Sequence, residues 1–242
     1  MRIIRIYQPG HYDVGDVIEL STTASQHVGV VLRLKPNDAL TLFCGDNREF
    51  LGYITCVTKK KVFVRIAEVV KISRESLRPI HLAQALSKGD RMEWVIQKAV
   101  ELGAASITPL FTAHCVVKLD TERLAKKQAQ WQAIAVAACE QSGRNQVPVV
   151  HSACSYATYL NACDAPTKWV LHPYADTSWR AHAFASGDIA LLIGPEGGLS
   201  EDEIVQAKAH GFMPLSLGPR ILRTETAAIV ALSVLQAIAG DL

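Results

Sequence analysis

Two stretches near the carboxyl end place glycines and charged side chains where a strand would hand over to a helix. The first is Leu191-Leu192-Ile193-Gly194-Pro195-Glu196-Gly197-Gly198-Leu199-Ser200. Its glycines follow a fully apolar run, at the end of a strand where open α/β sheets bind ligands. Glycine there lets backbone come close to a ligand or take positive φ; a tight turn that needs glycine for its own geometry is the alternative. The second is Leu217-Gly218-Pro219-Arg220-Ile221-Leu222-Arg223-Thr224-Glu225-Thr226. Two arginines and a glutamate beside the free amides of a helix start suit an anion or a charge that develops during reaction. The alternatives are a helix-dipole contact for Glu225 and surface ion pairs for Arg220 and Arg223. Several chemistries are excluded. There is no G-x-x-x-x-G-K-[ST] phosphate loop, no G-x-G-x-x-G after the first α/β strand and no G-x-S-x-G elbow. The eight histidines lack metal spacing, so no metal is expected.

The elements that must carry these junctions alternate. After Pro79, the run Ile80–Ala85 reads as a buried strand. Asp90 with Glu93 reads as a capping box for a helix that ends at Gly103. A strand at Ile107–Leu110, a long amphipathic helix over Thr121–Ser142 and strands at Trp169–Leu171 and Ile189–Ile193 follow. Ser200 with Glu203 makes a second box, Pro214–Leu217 a last strand, and a helix begins near Thr224. That order predicts an α/β domain with a largely parallel sheet over 79–242. Residues 1–70 differ. Short β-rich runs at Val17–Leu20, Ala39–Phe43, Phe50–Ile54 and Val62–Ile66, with one helix over Ser25–Arg33, predict a small barrel. Residues 71–78 read as a linker.

The 242 residues suffice for one large domain or two small ones, and 49% hydrophobic with 20% charged residues is an ordinary globular balance. Net charge is +2, with ten Lys/Arg against seven Asp/Glu in residues 1–71 and fifteen against sixteen in residues 72–242. A mildly basic small domain is compatible with nucleic acid. The six cysteines form no C-x-x-C pair and read as reduced, mostly buried thiols of a cytoplasmic protein. The amino terminus has no apolar core of a signal peptide. The longest apolar stretch, Ala227–Ala239, is interrupted by Ser233 and Gln236 and is too short to span a bilayer. Trp94 and Trp131 are expected in the core.

The two junctions together resemble the SPOUT class of RNA methyltransferases, and the whole chain is similar to the bacterial 16S rRNA uridine-N3 methyltransferase family. The resemblance rests on Met1-Arg2 with Arg5, His27 through Arg33, Lys88–Glu93, Gln97–Gly103 leading to Thr108-Pro109-Leu110, Glu140–Arg144 with Pro148, His172-Pro173, and the two junctions, in that order. It implies an N-terminal PUA-like β-barrel, a C-terminal SPOUT domain with a trefoil knot, and a homodimer. It implies S-adenosylmethionine as cofactor, and 16S rRNA, within the 30S subunit, as substrate. By motif position it implies cofactor contacts from Leu171, His172, Gly194, Glu196, Gly197, Gly198, Leu217, Gly218, Ile221 and Leu222.

On that resemblance, Arg223 is expected to stabilise the uracil anion formed as the N3 proton leaves, since a guanidinium that stays protonated is a poor base. Glu225 is expected to take the proton or to orient Arg223. Arg2, Arg5, Arg33, Lys88, Arg91 and Arg144 are candidate phosphate contacts. Two rivals are a ribose 2′-O-methyltransferase of the same class, whose Ser-Leu-Asn-Val-Ser pattern is replaced here by Leu222–Thr226, and a ribosome-assembly factor without catalysis.

Overall fold

In the computed structural model, residues 4–115, 120–175 and 186–242 are described. The candidate Arg2 lies outside them. The chain divides into two compact units: the chain up to Glu75 together with Cys139–Val147, and Ser76–Ala138 together with Pro148–Leu242.

The first unit is a five-stranded sheet. Its strands are β1 (Arg5–Tyr7), β2 (Val17–Glu19), β3 (Ala39–Phe43), β4 (Arg48–Val57) and β5 (Val62–Lys71), in the order β1-β3-β4-β5-β2. All pairings are antiparallel except β1 with β3. Alternation explains the core: Phe50 and Ile54 of β4 and Val62, Val64 and Ile66 of β5 turn inward, while Tyr53, Thr55 and Arg65 turn out. The two edges are joined by a side chain. Ser21 N, just past β2, donates to Gln8 Oε1, just past β1, at 2.8 Å. The sheet therefore curls on itself, and Ile6, Ile18, Val28 and Leu42 fill it.

Sequence periodicity misplaces the helix of this unit. It begins earlier, as α1 (Thr22–Gln26) with Ser21 as its cap, and passes into a π-helical turn over His27–Val31. Val30 and Val31 are left exposed.

Residues 139–147 belong to the first unit because of an ionic cluster. Arg5 and Arg74 share the Glu49 carboxylate. Arg5 Nη2 also donates to Asn145 Oδ1 at 2.6 Å and to the Arg144 carbonyl at 3.1 Å. Arg144 Nε donates to Glu75 Oε2 at 2.9 Å, and the same carboxylate takes the Asn145 and Gln146 amides. The side chains of Arg5 and Arg144, two of the candidate phosphate contacts, are only 8% and 7% exposed and are paired with Glu49 and Glu75. A buried guanidinium is tolerated only where carboxylate and carbonyl acceptors surround it, and the linear sequence does not reveal those acceptors.

The second unit is a parallel sheet in the order β12-β10-β11-β6-β7-β8, with β9 also on β7. The strands are β6 (Ile80–Ala85), β7 (Ala104–Phe111), β8 (Val149–Val150), β9 (Cys154–Ser155), β10 (Thr167–Leu171), β11 (Ile189–Ile193) and β12 (Met213–Leu215). The helices are α2 (Arg91–Glu101), α3 (Thr121–Ser142, in this unit up to Ala138), α4 (Tyr156–Ala162), α5 (Glu201–Ala209) and α6 (Thr224–Ala239). Strands covered on both faces read as continuous apolar runs; all five residues of β11 are buried.

The alternation of strand and helix is as the sequence predicts. The capping boxes divide. Ser200 Oγ accepts from Glu203 N at 3.2 Å and Glu203 Oε2 accepts from Ser200 N at 2.8 Å. Asp90 instead has helical backbone angles and makes no capping bond. Glu93 turns away to Lys127 Nζ at 3.1 Å and Gln130 Nε2 at 2.8 Å. Trp131 is buried, but Trp94 is 43% exposed, against expectation. Of the six cysteines only Cys139 is buried, and none is bridged.

Glu49 gives a pH dependence. Burial raises its pKa, but the Arg74 and Arg5 guanidinia outweigh this and hold it below the ordinary carboxylate value. A depressed folded pKa gives stability that is complete above the unfolded value of about 4.3 and lost as pH falls through the folded one. Glu49→Gln is expected to lower unfolding free energy at pH 7 by about 1–3 kcal/mol. Its urea midpoint should also fall less steeply than wild type on acidification.

Candidate functional site

The loops after β10, β11 and β12 leave the sheet from adjacent strands in the same direction, because the pairing is parallel. They meet the start of α6 and enclose a cavity of about 590 Å³. That volume falls within the range of small-molecule sites. Leu171 and His172 come from the end of β10; Gly194, Glu196, Gly197 and Gly198 from the loop after β11; Leu217, Gly218, Ile221 and Leu222 from the loop after β12. All of them line this one cavity. Arg223 and Glu225 line it as well. The two glycine-bearing junctions, far apart on no strand order that sequence could supply, thus form a single cleft.

Local chemistry explains the loop after β11. A Cβ on Gly194 would lie 3.0 Å from Leu199 Cγ and 3.1 Å from Leu199 N, so a side chain there would force the loop open. Gly198 has φ +72°, and its amide donates to the Pro195 carbonyl at 2.9 Å, closing the turn. The Ser200–Glu203 box ends the loop by starting α5, and Glu203 Oε1 also takes Ala113 N at 2.8 Å. His114 Nδ1 lies 3.1 Å from the Gly198 carbonyl. After β10, the His172 amide donates to the Leu215 carbonyl at 3.0 Å, and Ala175 N closes a turn on His172 O at 3.2 Å.

Charge in the cleft is arranged around Arg91. Its Nη1 donates to Glu196 Oε1 at 2.6 Å, and its Nε is 3.7 Å from Glu225 Oε1. Lys88 contributes its backbone amide to Glu196 Oε1 at 3.2 Å. Burial raises the Glu196 pKa, but the amides of Glu196 itself and Lys88, with Arg91, prevail and hold it below the ordinary value. Glu225 Oε2 is buried and has no partner among the described residues. Arg223 caps α6 by position only: its side chain is exposed and its carbonyl accepts from Ala227 N at 2.8 Å. The helix amides that follow add partial positive charge. The cleft can therefore hold a small apolar-and-polar ligand on backbone atoms and present a guanidinium to an incipient anion.

Among the phosphate candidates, Arg33 is exposed on the first unit, with φ +54°, and Lys88 is exposed on the second. Arg91 is engaged inside the cleft, where its contacts fit an internal ion pair. Sequence reasoning missed Pro173, Tyr174, Ile193, Leu199 and Thr224 in the lining. It also missed Gln84, whose one signal is an amide among the apolar residues Leu82, Ala83 and Ala85 of β6. No group of three or more His, Cys, Asp and Glu side chains among the described residues could hold a metal.

Residues 74–236 match the family described as RNA methyltransferase domain, and residues 20–67 match the RNA methyltransferase PUA domain. The Ribosomal RNA small subunit methyltransferase E of Buchnera aphidicola is 37% identical, over 100% of this chain and 98% of that protein. The Bacillus subtilis protein of the same name is 36% identical over 86% of this chain and 85% of its own length. A methyltransferase structure from Legionella pneumophila, in complex with bound SAM, superposes with a TM-score of 0.98 at 56% identity, covering 100% of both chains. The Neisseria gonorrhoeae Ribosomal RNA small subunit methyltransferase E, bound to S-adenosyl methionine, gives 0.94 at 37% identity, again over 100% of both chains. With its sheet order, its glycine-bounded cleft and full-length likeness all in agreement, this chain belongs to the ribosomal RNA small subunit methyltransferase E family.

Proposed function

We propose that this chain transfers a methyl group from S-adenosylmethionine to N3 of a uridine in 16S rRNA. The observation that carries the reading is the single cleft formed by the loops after β10, β11 and β12 at the start of α6. The fit to the cofactor is good on this chain's own features. Gly194 and Gly198 keep the loop backbone bare, and Leu171, Leu217, Ile221 and Leu222 supply apolar lining for a purine ring. Glu196 would take a hydroxyl or ammonium donor. When bound, S-adenosylmethionine supplies a methyl already made electrophilic by the sulfonium.

The chain's task is then to make uracil N3 nucleophilic. That nitrogen carries a proton, and its lone pair becomes available as the proton leaves and charge spreads onto O2 and O4. Arg223 is exposed in the cleft and has no partner among the described residues, so its guanidinium is free to meet that charge. The first amides of α6 add to it. Glu225 sits one residue beyond Thr224, partly paired with Arg91 through Oε1. Its assigned role is to orient Arg223, and the alternative is to accept the N3 proton. Arg33 and Lys88 would contact phosphate, and Arg2 is retained in that set.

The remaining parts of the reading are residues 1–70 as the RNA-binding domain, 71–78 as a linker, a trefoil knot in 79–242, a homodimer, a 30S-like substrate and a cytoplasmic site. One feature bears on the first of these. The charge split favours RNA on the small domain. No helix among the described residues is long and apolar enough to cross a membrane.

Nucleoside mass spectrometry of small-subunit RNA treated with the protein is expected to find base-methylated uridine. Ribose-methylated product would favour the 2′-O rival, and no S-adenosylmethionine binding by calorimetry would favour the assembly factor. Gly194→Val is expected to abolish calorimetric binding of the cofactor. Arg223→Ala is expected to lower kcat by about 10²–10³-fold while leaving cofactor affinity near wild type. Glu225→Gln should cost less.

A further inference from the structure

Behind the cleft lies a buried polar chain that connects its two halves. Gln84, on β6, is fully buried. Its Nε2 donates to Thr224 Oγ1 at 2.9 Å and to the Ala85 carbonyl at 3.2 Å. Thr224, itself only 5% exposed, donates its hydroxyl hydrogen bond to the Gly194 carbonyl at 2.6 Å. The direction of the chain is fixed. The Ala85 carbonyl requires the nitrogen end of the amide, so Thr224 Oγ1 must accept from Gln84 and donate to Gly194. Gly194 is the first residue of the loop after β11. Thr224 is the first residue of α6 and stands between Arg223 and Glu225.

The cost of this arrangement is visible. Gln84 Oε1 is buried and has no partner among the described residues. An uncompensated buried acceptor opposes folding. An apolar side chain of similar length would avoid that cost, and the Ala85 carbonyl would keep Ser87 Oγ at 3.4 Å. A polar group kept where an apolar one would serve the fold better points to use of its hydrogen bond.

We propose that Gln84 and Thr224 are positioning residues that lock the start of α6 to the cofactor loop, and so set Arg223 and Glu225 against the bound substrate. The inference rests on the methyltransferase reading given above. Thr224 Oγ1 is held by Gln84 on one side and the Gly194 carbonyl on the other, which ties the first residue of α6 to β6 and to the loop after β11. The glycine loop has other supports, through Glu196 with Arg91 and through His114 with the Gly198 carbonyl. Loss of the relay should therefore disturb the catalytic arginine more than cofactor binding. Misplacement of a reacting group by a fraction of an ångström to one ångström costs rate without removing affinity.

The test measures kcat at saturating cofactor and small-subunit RNA, cofactor Kd by calorimetry, and melting temperature, for wild type and three variants. Gln84→Met and Thr224→Val are expected to lower kcat about 10- to 100-fold, with Kd moved by no more than about threefold. Gln84→Met should melt at or above the wild-type temperature. Thr224→Ser, which keeps the hydroxyl, should restore wild-type kcat. Wild-type kcat in Gln84→Met overturns the inference, as does a Thr224→Ser variant no better than Thr224→Val. Loss of melting temperature without loss of kcat also overturns it, since that is the signature of a structural role. A wild-type protein that methylates no uridine N3 refutes the function itself, and is distinguished because every variant is compared with an active parent.

Discussion

The structure of the cleft depends on one constraint: β11 is buried on every residue and paired in parallel on both sides, with β10 and β6. Such a strand has no edge and no polar face, so it can present chemistry only where it ends. Parallel pairing puts the ends of β10, β11 and β12 at the same edge of the sheet. Their loops meet there without any further instruction. The glycines of the loop after β11 follow from the same constraint, because the chain must turn at once against Leu199 to start α5.

The cleft is stiffened mainly by backbone groups receiving side-chain partners. Thr224 holds the Gly194 carbonyl, and the Ser200–Glu203 box fixes the far end of the loop. Glu203 reaches beyond its own helix to the Ala113 amide, so a single carboxylate joins the loop after β7 to the start of α5. A ligand held on backbone atoms needs a rigid backbone, and these contacts provide it at little expense of exposed charge. The charges that do face the cleft, on Arg91, Glu196 and Glu225, are mutually opposed. Arg220 and Arg223, both exposed residues of the lining, stand outside that set.

The first unit follows a different logic. Its sheet is closed by Gln8 across its two edges and filled by alternating apolar residues. Its ionic cluster is structural. Arg5 bonds to Glu49, Asn145 and the Arg144 carbonyl, Arg144 bonds to Glu75, and the chain segment 139–147 is bound by these contacts. Two arginines that sequence alone would assign to nucleic acid are thus paired within the fold, while Arg33 is exposed on the surface with φ +54°.

Much of this was legible in the linear order of residues. The fully apolar run Ile189–Ile193, the long stripe of Thr121–Ser142 and the Ser200–Glu203 box specify their own conformations, because periodicity and capping are local properties. The glycines of both junctions were legible for the same reason. The sequence could not decide which strands are neighbours, and therefore that two loops share a cleft, except through family likeness. Nor could it separate the working box at Ser200 from the unformed one at Asp90, where Glu93 finds Lys127 and Gln130 instead. Buried acceptors for Arg5 and Arg144, and the bond from Gln84 to Thr224, span many residues of chain. Such partners are fixed only when strands and helices close on one another, since a hydrogen bond needs its two atoms within about 3 Å whatever their separation in sequence.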